Sequence, residues 1–223
     1  MSFFETLVAE TEQERQGLLS APIIEQVFQG EITVDHYIAF LSQAYHHVKH
    51  TVPLMMTVGS RLPEEKEWMR EAVAEYIEEE IGHQEWILND IDACGYDKEH
   101  VRASQPSVAT ELMVAYAYDT INRVSPMGFF GMVHVLEGTS IHLADKVAGA
   151  VKDTLGLPAN AFSYLISHGS LDQNHVVFFE NLMNKVDDAE DQRAIIHACK
   201  VFYKLYGDIF RGLHVQHGVP RAA

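Results

Sequence analysis

The sequence predicts an all-α protein, and three observations support this. Apolar residues recur with helical spacing along most of the chain, and no stretch alternates convincingly with the period of two that is typical of half-buried strands. Prolines and glycines fall where long helices would begin and end. With 223 residues, 47% of them hydrophobic, the chain is long enough to bury a substantial core. We therefore expect one domain over residues 1–223, a bundle of about seven or eight helices.

Caps and helix-breaking residues predict the boundaries of these helices. Thr33 is a suitable N-cap for a long helix that bends at Pro53, and Pro63 suits the first turn of the next long helix. Gly169 and Ser170 either interrupt a helix or lie within it, and the pattern does not decide which. Residues 96–106 are expected to form a loop. The predicted helical segments cover residues 3–19, 22–29, 33–61, 63–94, 107–124, 125–155, 158–168, 171–185 and 187–215. The segments 158–168 and 171–185 form one helix if Gly169 and Ser170 lie within it.

Composition restricts the partners and the location. The formal charge is −16, from 32 acidic and 16 basic residues, which disfavours nucleic acid and anionic membranes. The two cysteines, Cys94 and Cys199, lie far apart and fit no metal spacing, so a reducing, cytoplasmic location fits. The first residues do not resemble a signal peptide, and no apolar run approaches the length of a membrane span. We expect a small-molecule substrate, and a homodimer is compatible with the sequence.

The segment HGSLDQNH is the most informative motif. It places His168, Asp172 and His175 between apolar runs, and buried imidazoles and carboxylates need a hydrogen-bond partner or a metal. The alternative is a capping cluster in which Asp172 satisfies backbone donors at a helix N-terminus.

A second motif, EEEIGHQEW, places Glu80 three residues before His83. On a continuous helix the two would share one face. Glu79 competes with Glu80, since it lies at a similar helical angle, and Tyr76 is expected to face the same space. The alternative is a charged, solvated helix surface.

Glu137 is a lone carboxylate in the apolar run GMVHVLEGTSI, where it is costly to bury without a partner. A buried ion pair is the alternative to metal ligation. Together with the other two motifs, Glu137 completes a set of three carboxylates and three imidazoles. Such a set nearly neutralises the +4 charge of two ferrous ions, and its donors suit iron or manganese rather than metals that prefer thiolates.

Four residues are weaker candidates for the wall of a substrate pocket. They are Tyr76, His47, Met55 and Phe130, and their alternative role is core packing.

On these residues, the chain resembles the haem-oxygenase-like di-iron oxidases, which belong to the superfamily of TenA, PqqC and haem oxygenase. HGSLDQNH matches that family's H-x3-D-x2-H signature, while His83 and Glu137 match its first His and central Glu. Relatives carry the first carboxylate either seven or three residues before that His. Here the first position is Tyr76 and the second is Glu80. The resemblance covers about residues 3–215.

The resemblance implies a haem-oxygenase-like helical bundle with two iron ions, or iron and manganese, ligated by six residues. It implies activation of O2 and oxidation of a small organic substrate, with no haem. An apolar or amphiphilic acid is our preferred substrate class, because methionine and phenylalanine are frequent in the helices. The implied metal ligands are Glu80, His83, Glu137, His168, Asp172 and His175, with Glu79 as the alternative to Glu80.

Other functions known for this fold remain as alternatives. A TenA-type thiaminase needs a nucleophilic Cys on the helix that here carries Glu137, and no Cys occurs there. A PqqC-like cofactorless oxidase binds a highly anionic compound, which an acidic chain does not favour. A haem oxygenase needs a proximal His early in its first helix, but the first His here is His36. A non-catalytic member of the fold would be distinguished by a metal assay.

Overall fold

A computed structural model describes residues 1–213 and 219–222, and for residues 140–148 and 167–176 it describes the backbone alone. The predicted all-α class is confirmed, because the strand-like pairing in this part of the chain is limited to a single antiparallel bridge between Tyr96 and Arg221. None of the described helices is both long and apolar enough to cross a membrane. The described part contains eleven α-helices, so the expected seven or eight was too few. They are α1 (Phe3–Leu19), α2 (Pro22–Gln29), α3 (Val34–Val48), α4 (Thr51–Arg61), α5 (Glu67–Glu80), α6 (His83–Ala93), α7 (Lys98–Ala103), α8 (Val108–Asp119), α9 (Phe129–Leu155), α10 (Ser163–Met183) and α11 (Ala189–Arg211).

Two breaks that the sequence analysis did not predict raise the number of helices. The predicted helix 33–61 divides at Lys49 and His50 into α3 and α4. Pro53 then lies in the first turn of α4, where a missing N–H costs little, so it helps to begin a helix rather than bend one. The predicted helix 63–94 divides at Ile81 and Gly82 into α5 and α6. Gly82 has φ 95°, a left-handed conformation that favours glycine.

Three further differences concern the connections. The predicted loop 96–106 contains α7, whose first turn is capped by the Asp97 carboxylate. The predicted helix 107–124 ends earlier, in a π-helical turn over Thr120–Val124. The predicted short helix 158–168 is replaced by a 3-10 turn, Ala159–Ala161, followed by α10. Gly169 and Ser170 fall within the range of α10, so the backbone does not break there.

Several predicted boundaries are confirmed. The bounds of α1 and α2 agree with the predicted 3–19 and 22–29. The Thr33 hydroxyl accepts a hydrogen bond from the His36 N–H and caps α3. Gly30 and Gly156, with φ 72° and 62°, end α2 and α9 in the left-handed conformation.

The core consists of two apolar clusters. The larger one is formed mainly by α1, α4, α5, α8, α9 and α11, and the smaller one mainly by α3 and α6 with the start of α10. Gly131 lets α9 lie directly on α11, because a Cβ at this position would be 2.5 Å from the Cys199 nitrogen and 2.7 Å from the Ile195 oxygen. This close crossing fixes the part of α9 that leads to Glu137.

Candidate metal centre

Glu80 and His83 are in contact across the junction between α5 and α6. The Glu80 Oε2 atom lies 3.0 Å from the His83 Nδ1 atom. Glu80 is the last residue of α5 and His83 is the first of α6, so the two do not share the face of one continuous helix, as the spacing had suggested. The turn through Gly82 brings them together instead. The His83 imidazole is buried, and its ring packs 4.1 Å from the ring of Trp86.

The two candidates for the first carboxylate differ in exposure. The Glu80 side chain is 14% exposed and lines the central cavity, whereas Glu79 is an exposed residue. On a continuous helix Glu79 and Glu80 would lie at similar angles to His83, but the helix does not continue past residue 80. Because α5 ends at Glu80, the orientation of the carboxylates relative to His83 follows from the turn rather than from helical spacing.

Glu137 lies on α9, is half-buried and lines the same cavity as Glu80. Tyr76, one helical turn before Glu80, faces this cavity too and is almost completely buried. The pKa of the Tyr76 phenol is raised far above its ordinary value, first by burial and then by the negative charges of Glu137, Glu79 and Glu80. Negative charges on α5 and α9 thus raise the pKa of the same phenol, so this part of the interior carries a concentration of negative charge.

The cavity between the two apolar clusters has a volume of about 180 Å³. Its described wall contains Glu80 and Glu137 but neither lysine nor arginine. Along α3 the wall extends from His36 to Val48, which corresponds to roughly 18 Å of helix at about 1.5 Å per residue. The cavity is therefore elongated, acidic near Tyr76 and mostly apolar elsewhere, with His36, His47 and two threonines in its wall. Its apolar wall includes Ile23, Ile24, Val27, Ile32, Phe40, Val48, Met55, Phe129, Met132, Val133, Leu136, Val151, Leu165, Phe210 and Leu213.

Of the four candidates for the pocket wall, three line this cavity: Tyr76, His47 and Met55. The His47 imidazole is buried and packs edge-on against Tyr206, with ring centroids 5.8 Å apart. Phe130 is fully buried in the larger apolar cluster and is not part of the cavity wall, so its role is core packing. No signal in the sequence distinguishes the two residues, because Met55 and Phe130 occur in similarly apolar surroundings.

The three residues of the HGSLDQNH motif lie on α10, but the side chains of His168, Asp172 and His175 are outside the described residues. The continuous helix gives the backbones of His168 and Asp172 an i, i+4 relationship. Among the described side chains, no three His, Cys, Asp or Glu residues form a group that could hold a metal. The described residues therefore contain half of the predicted ligand set: Glu80, His83 and Glu137.

Asp90 fixes the beginning of α10 from α6, a role that the sequence analysis missed. Its carboxylate accepts hydrogen bonds from the backbone N–H of Ser163, at 3.0 Å, and of Tyr164, at 2.9 Å, and from the Ser163 hydroxyl. Asp90 is fully buried, which raises the pKa of its carboxyl, although the three hydrogen bonds oppose this shift. A signal was present in the sequence, since this Asp lies between the apolar residues Leu88 and Ile91 of one helix.

The donor set in the described residues suits a first-row metal. The Glu80 carboxylate and the His83 imidazole are 3.0 Å apart, so both are close enough to serve one metal site. The carboxylates of Glu80 and Glu137 add negative charge to a mostly apolar cavity, where a bound cation would be stabilised. The oxygen and imidazole donors fit iron or manganese.

The two cysteines have no part in this site. Cys94 and Cys199 are buried, neither lines the cavity, and burial raises the pKa of both thiols to about 12. A nucleophilic cysteine needs a lowered pKa and access to substrate. These two thiols have neither property.

Solved structures share the fold over nearly the whole chain. A domain of unknown function with a haem-oxygenase-like fold from Shewanella denitrificans is 24% identical, with a TM-score of 0.84 over 96% of this chain and 92% of that one. A TenA homologue from Pseudomonas syringae is 11% identical, with a TM-score of 0.79 over 95% and 92% of the two chains. The haem oxygenase from Leptospira interrogans is 16% identical, with a TM-score of 0.72 over 95% and 99%. At these identities the similarity shows the fold alone.

A comparison with curated protein sequences gave no significant match. The model of one protein family, described as iron-containing redox enzymes, matches residues 38–207. This range includes every residue predicted as a metal ligand. The haem-oxygenase-like fold agrees with that match, and the chain belongs to the family of iron-containing redox enzymes.

Proposed function

We propose that the protein is a non-haem di-iron oxidase that uses O2 to oxidise a small, at least partly apolar organic acid. The observation that carries this proposal is that Glu80, in contact with His83, and Glu137 reach one apolar cavity from different helices. The family match supports a redox function and iron, and the number of metal ions and the use of O2 are our proposals.

In this proposal Glu80, His83, Glu137, His168, Asp172 and His175 hold two metal ions, iron or iron with manganese. When bound, the metal pair supplies the electrons for reduction of O2 and an open coordination position. The carboxylates offset the charge of the metals, and the imidazoles add neutral donors. The contact with Glu80 also sets the orientation of the His83 ring.

The rest of the cavity wall selects and protects the substrate. Its apolar side chains favour a substrate with an apolar part, and they limit the access of water to the acidic end. Because the described wall has no Lys or Arg, the acid group of the substrate would be bound by the metal, by imidazoles or by tyrosine hydroxyls. A strongly anionic substrate, like the compound that PqqC-like oxidases bind, would find no Lys or Arg side chain in the described wall.

The experiment is rapid mixing of anaerobic, ferrous-loaded protein with O2. We expect iron oxidation and a transient visible absorption band, and a panel of fatty and amino acids would identify compounds that accelerate its decay. His175→Ala and Asp172→Ala should abolish the reaction and strongly reduce iron binding, while Glu79→Gln, at an exposed position, serves as the matched control.

Two results would reject the proposal. If the loaded protein neither forms a transient nor oxidises in O2, the protein is a non-catalytic member of the fold. If metal-free protein turns over a thiamine fragment, a TenA-type activity replaces the oxidase.

A further inference from the structure

Tyr76 is a buried phenol at the acidic end of the cavity. It lies on α5 four residues before Glu80, so both side chains project from the same face of this helix. Both line the cavity, and Tyr76 is 3% exposed. The Tyr76 hydroxyl and one oxygen of the Glu137 carboxylate, on α9, are buried atoms of residues that line the same cavity. The negative charge of Glu137 contributes to the raised pKa of the phenol.

The ring of Tyr76 makes a contact with a third helix. It packs edge-on against Phe178 of α10, with centroids 5.3 Å apart and planes at 73°. Phe178 lies three residues, about one helical turn, after His175. Tyr76 therefore lies on α5 and faces α9 and α10. These three helices carry five of the six proposed ligands. Only His83, on α6, comes from elsewhere.

We propose that Tyr76 is a positioning residue of the metal centre, and that its hydroxyl donates a hydrogen bond that orients the Glu137 carboxylate toward the metals. The inference rests on the proposed metal centre and adds a residue to it. In a buried carboxylate ligand, an oxygen atom that does not bind the metal needs a hydrogen-bond donor. A phenol can donate one hydrogen bond without adding charge. The contact of the ring with Phe178 and the burial of Tyr76 restrict the movement of the side chain that carries the hydroxyl.

Tyr206 provides a matched control in the same cavity. It also lines the cavity and is buried, and its ring packs against His47 and Phe210. The pKa of its phenol is raised by burial alone, whereas carboxylates contribute to the shift at Tyr76. The removal of each hydroxyl thus makes the same chemical change, but only Tyr76 shares a helical face with the proposed ligand Glu80, since Tyr206 lies on α11.

The test compares wild type, Tyr76→Phe and Tyr206→Phe by ferrous iron titration under anaerobic conditions, together with Mössbauer spectra of the loaded proteins. Tyr76→Phe keeps the ring and should fold normally, which circular dichroism checks. We expect it to weaken iron affinity about 10–100-fold, as loss of outer partners of metal ligands does, and to change the Mössbauer parameters. Tyr206→Phe should leave affinity within a factor of about two.

The outcomes separate this inference from the proposed function. If wild type binds two irons and Tyr76→Phe matches it in affinity and spectrum, the positioning role is wrong and the metal centre stands. Equal losses in both variants also overturn the positioning role. An intense visible charge-transfer band in ferric wild type that Tyr76→Phe lacks would make the phenol a ligand instead. If wild type binds no iron, the proposed function itself fails, and this inference with it.

Discussion

Asp90 of α6 caps the first turn of α10 from outside that helix, through hydrogen bonds from the backbone N–H groups of Ser163 and Tyr164. The side chain of Phe162, the N-cap residue of α10 itself, makes no such bond. Helix α6 therefore begins with the proposed ligand His83 and carries, two turns later, the Asp90 that caps α10. Helix α10 in turn carries the HGSLDQNH motif. The two halves of the proposed ligand set are linked by this contact.

Replacement of Asp90 by alanine should destabilise the protein by about 1–3 kcal/mol, because it leaves buried backbone donors without an acceptor. Urea unfolding followed by circular dichroism measures the loss. Asp92→Ala is the control on the same helix, since Asp92 is 52% exposed and paired with Lys98, and it should change stability by at most about 0.5 kcal/mol. Equal effects of the two changes would contradict the capping role of Asp90.

Glu80→Gln should weaken iron binding more than Glu79→Gln does. Glu80 contacts His83 and lines the cavity, whereas Glu79 is exposed and does not line it. We expect a loss of about 10–100-fold for Glu80→Gln and less than about threefold for Glu79→Gln in calorimetric titrations. A larger loss for Glu79→Gln would mean that the first carboxylate ligand has been misassigned.

Gly82→Ala tests the turn that joins Glu80 to His83. With φ 95° at this position, a side chain costs about 1–2 kcal/mol, although no neighbouring atom would obstruct its Cβ. The variant should unfold at lower urea concentration and bind iron more weakly. Gly17→Ala, in the last turn of α1 with nothing within 4 Å of the added Cβ, should instead stabilise the protein by about 0.4–1 kcal/mol. Wild-type stability in Gly82→Ala would show that the turn adapts without strain.

His134 should make stability depend on pH. Its imidazole is surrounded by the rings of Phe4, Phe179 and Tyr203, and burial, with a smaller effect from Arg15, lowers its pKa from 6.5 to about 4. The folded state therefore disfavours the proton, and stability falls as pH drops from 6.5 toward 4, by about 3 kcal/mol over the full window.

His134→Phe should remove this part of the pH dependence, because phenylalanine does not titrate and suits an aromatic environment. Unfolding free energies of both proteins between pH 4 and 7 give the comparison. If the two curves stay parallel, the protonation of His134 does not determine acid stability.

The sequence predicted the helical class, the bounds of α1 and α2, and the caps at Thr33 and Gly30. The predicted helices 33–61 and 63–94 were wrong as single helices, because each breaks at a point where the helical spacing of apolar residues continues. The residues around Gly82 keep a helical pattern on both sides, so nothing in the spacing showed that the glycine adopts a left-handed conformation. The contact between Glu80 and His83 was expected, but for the wrong geometric reason, since it depends on that turn.

The candidate site was predictable where a polar residue interrupts an apolar run, as Glu137 does. Contacts between distant segments were not predictable in this way. The capping of α10 by Asp90 joins residues about 70 positions apart in the chain, and the separation of Met55 from Phe130 depends on how α4 and α9 pack. Local periodicity carries no information on either arrangement.

The most direct test of the account is the number of iron ions per chain. Protein loaded anaerobically with ferrous iron and freed of excess metal should contain two irons per chain by elemental analysis, with Mössbauer spectra of non-haem sites. Glu137→Gln should lose most of this iron and keep its helical circular dichroism. Zero or one iron in wild type, or two irons retained after replacement of both His83 and Glu137, would contradict the di-iron centre.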